Sequence, residues 1–177
     1  GLSILSKKNF LFHLKIYHLS RRKNKIDPAL FLEQLNNDGW KMIYLKRNNI
    51  VRQQLSNCVA ETRGHYHKFN KKKEVFSLVI NCNEFVRKIN ERLEFLDSEK
   101  QLVKNFPHIK VIYEEDLLKE SFHQKTIDNI LLFLGLPTSS VKTTFKKINN
   151  QTIRSLVKNY SEFKACLKKN GWERFLD

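Results

Sequence analysis

The chain has 177 residues, 41% hydrophobic and 29% charged, enough apolar content for one globular domain with a substantial core. Its 33 lysines and arginines against 18 acidic residues give a net charge of +15, favouring polyanionic partners such as nucleic acid, anionic lipid or a phosphate-rich small molecule. No run approaches the ~20 apolar residues of a membrane span, nothing at the start reads as a signal peptide, and three well-separated cysteines without a Cys-x-x-Cys pair point to reduced thiols in a cytoplasm-like compartment.

The alternation of Phe10, Phe12, Leu14 and Ile16 with His13, Lys15 and Tyr17 predicts a strand over residues 9–19. A basic loop follows, and Asp27-Pro28 then opens a helix that ends near Gly39. The apolar run Met42-Ile43-Tyr44-Leu45 reads as a buried, parallel-type strand. From Ile50 the spacing of Val51, Leu55, Cys58 and Val59 predicts a helix. Strand, helix, strand, helix is the order of an α/β fold, a parallel sheet flanked by helices. Residues 65–74 are polar and lysine-rich, and residues 75–80 are a weaker strand candidate. A long helix is expected over residues 83–106 and a second buried strand over residues 109–113. Glu114-Glu115-Asp116 reads as a cap for the helix over residues 126–134, which Gly135 and Pro137 stop. Residues 153–168 are amphipathic and predict the last helix. The whole, residues 1–177, reads as a single domain.

The segment after the Met42 strand carries the strongest chemical signal. Arg47 stands at the strand's carboxyl end, Asn48 and Asn49 are good N-cap residues, and Asn49, Arg52 and Ser56 share a polar sector of the following helix. Exposed amides, the helix dipole and a guanidinium together suit an anion, phosphate in particular. The alternative is a surface arginine beside an ordinary cap. His65 and His67 have no carboxylate or cysteine at usable spacing, so no metal site is expected.

The order of these motifs resembles the later part of the sulfotransferases that use 3′-phosphoadenosine 5′-phosphosulfate (PAPS), most closely the bacterial-type family. IYLKRNNIVRQQLS is similar to that family's strand–Arg–helix–Ser segment, which binds the 3′-phosphate of the cofactor. VIYEEDLLKE resembles its Tyr-Glu-Asp-Leu strand end, IDNILLFLGLP its Phe-Leu-Gly helix end, and KTTFKKIN the Thr/Ser-Phe segment near the adenine. VKNYSEFKACLKKNGWERFL is similar to the closing helix, and FHLKIYHL to the strand holding Lys and His near the acceptor in some members. The family's glycine-containing phosphate loop has no counterpart here. The resemblance therefore implies the C-terminal portion of a P-loop nucleotide-kinase-like sulfotransferase fold, with that loop expected before Gly1.

The resemblance assigns Arg47 and Ser56 to the 3′-phosphate, with Arg52 on the same face, and Tyr113, Thr144 and Lys147 to the surroundings of the adenosine. Lys15 and His18 are its catalytic candidates, because sulfuryl transfer needs a base at the acceptor hydroxyl and positive charge for the leaving phosphate. The implied protein is a cytoplasmic enzyme whose partners are the nucleotide PAPS and a hydroxyl or amine acceptor, on carbohydrate, lipid or small molecule. Two other classes fit parts of the pattern. A kinase-like nucleotide-binding α/β enzyme would share the fold. A basic nucleic-acid-binding module would share the charge, but the basic stripe with interleaved aromatics that it requires is not present.

Overall fold

The computed structural model describes residues 10–21, 26–63, 76–142 and 151–176. The chain divides into two compact units, Gly1–Trp40 and Lys41–Asp177. In the first unit the strand expected over residues 9–19 does not form across its described part, residues 10–19. Residues 10–15 have no regular structure, and Tyr17–Arg21 is a short helix, α1. A strand needs a neighbour for its backbone groups, and no described residue pairs with this segment. Bonds from His18 N to Lys15 O (2.8 Å) and from Leu19 N to Ile16 O (3.0 Å) instead wind the chain into a turn that buries Leu19 and leaves Phe10 and Leu11 exposed. Helix α2 (Pro28–Asn37) forms as expected. Asp27 Oδ1 accepts from the Ala29 and Leu30 amides at 2.7 and 3.2 Å, and Pro28 occupies a first-turn position where its missing N–H does no harm.

The second unit is mixed α/β. Strands β1 (Met42–Lys46) and β2 (His108–Ile112) pair in parallel, Met42 opposite His108 through Lys46 opposite Ile112. The helices of this unit are α3 (Ile50–Arg63), α4 (Cys82–Val103), α5 (His123–Leu134), α6 (Ile153–Leu156) and α7 (Tyr160–Lys169); α5 packs against β2. Gly135, at φ 73°, ends α5 in the left-handed conformation that glycine adopts without strain, as its place before Leu136-Pro137 predicts. The core joins Val51, Leu55 and Val59 of α3 to Phe85 and Ile89 of α4 and to Phe163 and Leu167 of α7. Each such side chain, once buried, contributes about 1.5–3 kcal/mol.

The helix expected over residues 153–168 is interrupted. Between α6 and α7, Val157 is extended and pairs with Leu78, which donates to Leu156 O (2.8 Å) and accepts from Lys158 N (2.7 Å). Two side-chain amides extend this pairing. Gln151 accepts from Phe76 N (3.3 Å) and donates to Phe76 O (3.0 Å), while Asn159 does the same for Ile80 at 2.9 Å each way. Residues 76, 78 and 80 thus have their backbone groups satisfied on one edge, although the strand expected over residues 75–80 reduces to one bridge. Elsewhere Gln53 Oε1 is buried without a hydrogen-bond partner among the described residues, whereas the buried Glu99 is paired. Glu99, 8% exposed, receives both terminal nitrogens of Arg92 at 2.8 and 3.2 Å. Burial, with Glu99 adding to it, raises the pKa of the Tyr44 hydroxyl on β1.

Candidate functional site

The parallel pairing of β1 and β2 sets the loops at their carboxyl ends side by side. Arg47 leaves the end of β1. Asn49 then caps α3, its Oδ1 accepting from Arg52 N at 2.8 Å, and its Nδ2 donates to Phe175 O at 3.3 Å. From the end of β2 the chain makes one turn of π-helix, Tyr113–Leu117. This turn carries Glu114 back against α3. Glu114 Oε2 accepts from Asn48 N at 2.8 Å, and Oε1 from Asn49 N at 3.1 Å and Arg47 Nε at 3.3 Å. The amides expected to meet an external anion therefore hold an internal carboxylate.

The rest of the acidic run also turns backward. Glu115 Oε1 accepts from Asn48 Nδ2 at 3.2 Å and Asp116 Oδ2 from Ile112 N at 2.6 Å. The expected cap for α5 is thus corrected: its N-cap, Phe122, makes no side-chain capping bond. The reason is proximity. The acidic run lies beside the start of α3 through sheet pairing, where two amide donors and a guanidinium outweigh the helix that follows in sequence.

Arg47 keeps part of its binding capacity. Its guanidinium lies over the Tyr113 ring, 4.6 Å from the centroid, and Glu114 uses only Nε. Among the described residues Nη1 and Nη2 have no hydrogen-bond partner. The side chain is 24% exposed, and the N–H groups on Nη1 and Nη2 are donors that Glu114 does not use. Ser56 is exposed on α3, while Arg52 Nη1 donates to Gln151 O at 2.8 Å. Thr144 and Lys147 lie outside the described residues, as do His65 and His67. Lys15 and His18 belong to the first unit, both exposed, joined by the His18 N to Lys15 O bond, with the His18 ring edge-on to Tyr17 at 4.6 Å.

Arg47 and Tyr113, singled out separately in the sequence, lie in contact, and Glu114, not singled out as a site residue, lies between them and α3. A usable signal exists, since an acidic run at the end of one parallel strand faces the helix start after its neighbour. A separate groove between α3 and α4 holds Lys88 between Glu61 (2.9 Å) and Glu84 (3.3 Å). The Glu61 hydrogen bond is the main cause of that lysine's raised pKa. None of the residues assigned by the resemblance lines it. Among the described residues no group of three His, Cys, Asp or Glu side chains could hold a metal, and no helix is long and apolar enough to cross a membrane. Comparison of the chain with protein-family models, curated proteins and solved structures returned no match.

Proposed function

We propose that this chain is the cofactor-binding portion of a PAPS-dependent sulfotransferase of the cytoplasm, transferring a sulfuryl group to a hydroxyl or amine acceptor. One observation carries the reading. Arg47 and Tyr113, from two segments that resemble the family separately, meet at the carboxyl ends of adjacent parallel strands. Open α/β sheets bind ligands beyond those ends. In this reading the Nη edge of Arg47 takes the 3′-phosphate through paired donors, and Ser56 adds a neutral hydrogen bond. Tyr113 lies beside the adenosine and Arg52 adds positive charge, while Thr144 and Lys147 rest on the resemblance alone. Lys15 and His18 are the proposed acceptor-side groups.

Glu114 favours a second reading, in which Arg47 is a structural latch that binds no cofactor. At ~5 Å and an effective dielectric of ~20, a carboxylate and a dianion repel by several kcal/mol, about as much as one guanidinium attracts. Long-range charge therefore nearly cancels here, and affinity turns on the direct Nη donors. Calorimetry with 3′-phosphoadenosine 5′-phosphate and with adenosine 5′-phosphate separates the readings. The sulfotransferase reading requires at least ~10-fold tighter binding of the first. Equal affinities, or no binding, leave the latch.

A further inference from the structure

The seam between α4 and α7 brings together two cysteines that are 84 residues apart in sequence. Phe85 of α4 and Phe163 of α7 meet edge to face at 5.0 Å, so the two helices are in contact at this level. Cys82 stands three residues before Phe85 and Cys166 three residues after Phe163, so each thiol lies one turn along on the same facing surface. Cys166 Sγ is 4.0 Å from the Cys82 carbonyl oxygen, and each residue is partly exposed.

We propose that Cys82 and Cys166 are an oxidisable pair that forms a disulfide, joining the first turn of α4 to α7. With a disulfide oxidant, one thiolate attacks the oxidant's sulfur and releases a thiol. The second thiolate attacks the resulting mixed disulfide and releases another. One S–S bond forms in the protein, the oxidant's S–S bond breaks, and two protons and two electrons leave on the two released thiols. Desolvation, and next the interaction with Cys166, push the Cys82 thiol up to about 11, so its thiolate is scarce near neutral pH and its exchange is slow. The cross-link restrains the unfolded chain over a long loop, which stabilises the folded state. It also fixes the helix leading to Phe175, whose carbonyl is bound by the α3 cap Asn49.

The test is overnight incubation of the full chain with glutathione disulfide, alkylation of the remaining thiols, and peptide mapping without reductant. The proposal expects a Cys82–Cys166 cross-linked peptide, an alkylated Cys58, and a melting temperature several degrees higher that a reductant reverses. The single variants Cys82→Ser and Cys166→Ser should lose that reversible shift. All three thiols alkylated, or cross-links that involve Cys58 or a second chain in place of this pair, would overturn it. The wild-type peptide map decides the matter even where a serine variant does not fold.

Discussion

Removing the Glu114 carboxylate tests how the two strand-end loops are held together. Its oxygens accept three hydrogen bonds, two from the backbone amides of Asn48 and Asn49 and one from Arg47 Nε. Both side chains of the ion pair are 24% exposed, so solvent screens it and about 0.5–1 kcal/mol is a fair figure for that part. The amide contacts act as a helix cap supplied from a distant segment, and such caps contribute about 0.5–2 kcal/mol. Glu114→Ala should therefore destabilise the second unit by about 1–3 kcal/mol, read as a fall in the urea midpoint by circular dichroism. Combining it with Arg47→Ala separates the two parts. The coupling energy should be no more than ~1 kcal/mol, and most of the Glu114 effect should survive without the arginine. A Glu114 effect that vanishes in the Arg47→Ala background would refute the capping argument, leaving only an ion pair.

Asn159→Ala strips the partners from both backbone groups of the buried Ile80 and should lower stability by about 2–4 kcal/mol in the same assay; a loss below ~0.5 kcal/mol would count against the clamp. Phe163→Ala empties a fully buried position and should cost about 3–5 kcal/mol. Leu132→Ala, on a side chain 77% exposed, should stay within about 0.5 kcal/mol. Because the Cys82 thiol sits at about 11 against an ordinary 9.0, its thiolate fraction at pH 8 is about 100-fold lower, and with the greater nucleophilicity of a more basic thiolate iodoacetamide should alkylate it about 10-fold more slowly than a free thiol.

The parts of the fold that follow from local chemistry are legible in the chain. Met42 to Leu45 with the Asn49 cap, the Asp27-Pro28 start of α2 and the Gly135 stop each need only neighbouring residues. The misses are long-range. Residues 10–19 alternate as a strand does, yet no described residue pairs with them, and a turn forms in place of an extended strand. Residues 153–168 have helical spacing throughout, but Val157 and Asn159 are drawn out of the helix by residues 78 and 80. The acidic run after β2 looks local and acts at a distance, on amides 65 and 66 positions away. That Arg47 and Tyr113 stand at strand ends was legible because both follow apolar runs that read as strands. The Glu114 half depended on which strands are neighbours.

Calorimetry on Arg47→Ala tests the proposed function most directly. The guanidinium edge that Glu114 leaves open offers two parallel donors, and charge-assisted bonds contribute about 1.5–3 kcal/mol against about 0.5–1.5 for a neutral hydroxyl. Arg47→Ala should weaken binding of 3′-phosphoadenosine 5′-phosphate by at least ~10-fold, Ser56→Ala by less, and neither should alter binding of adenosine 5′-phosphate. Equal losses for the two nucleotides, or no loss for either, would contradict the assignment of Arg47 to a 3′-phosphate.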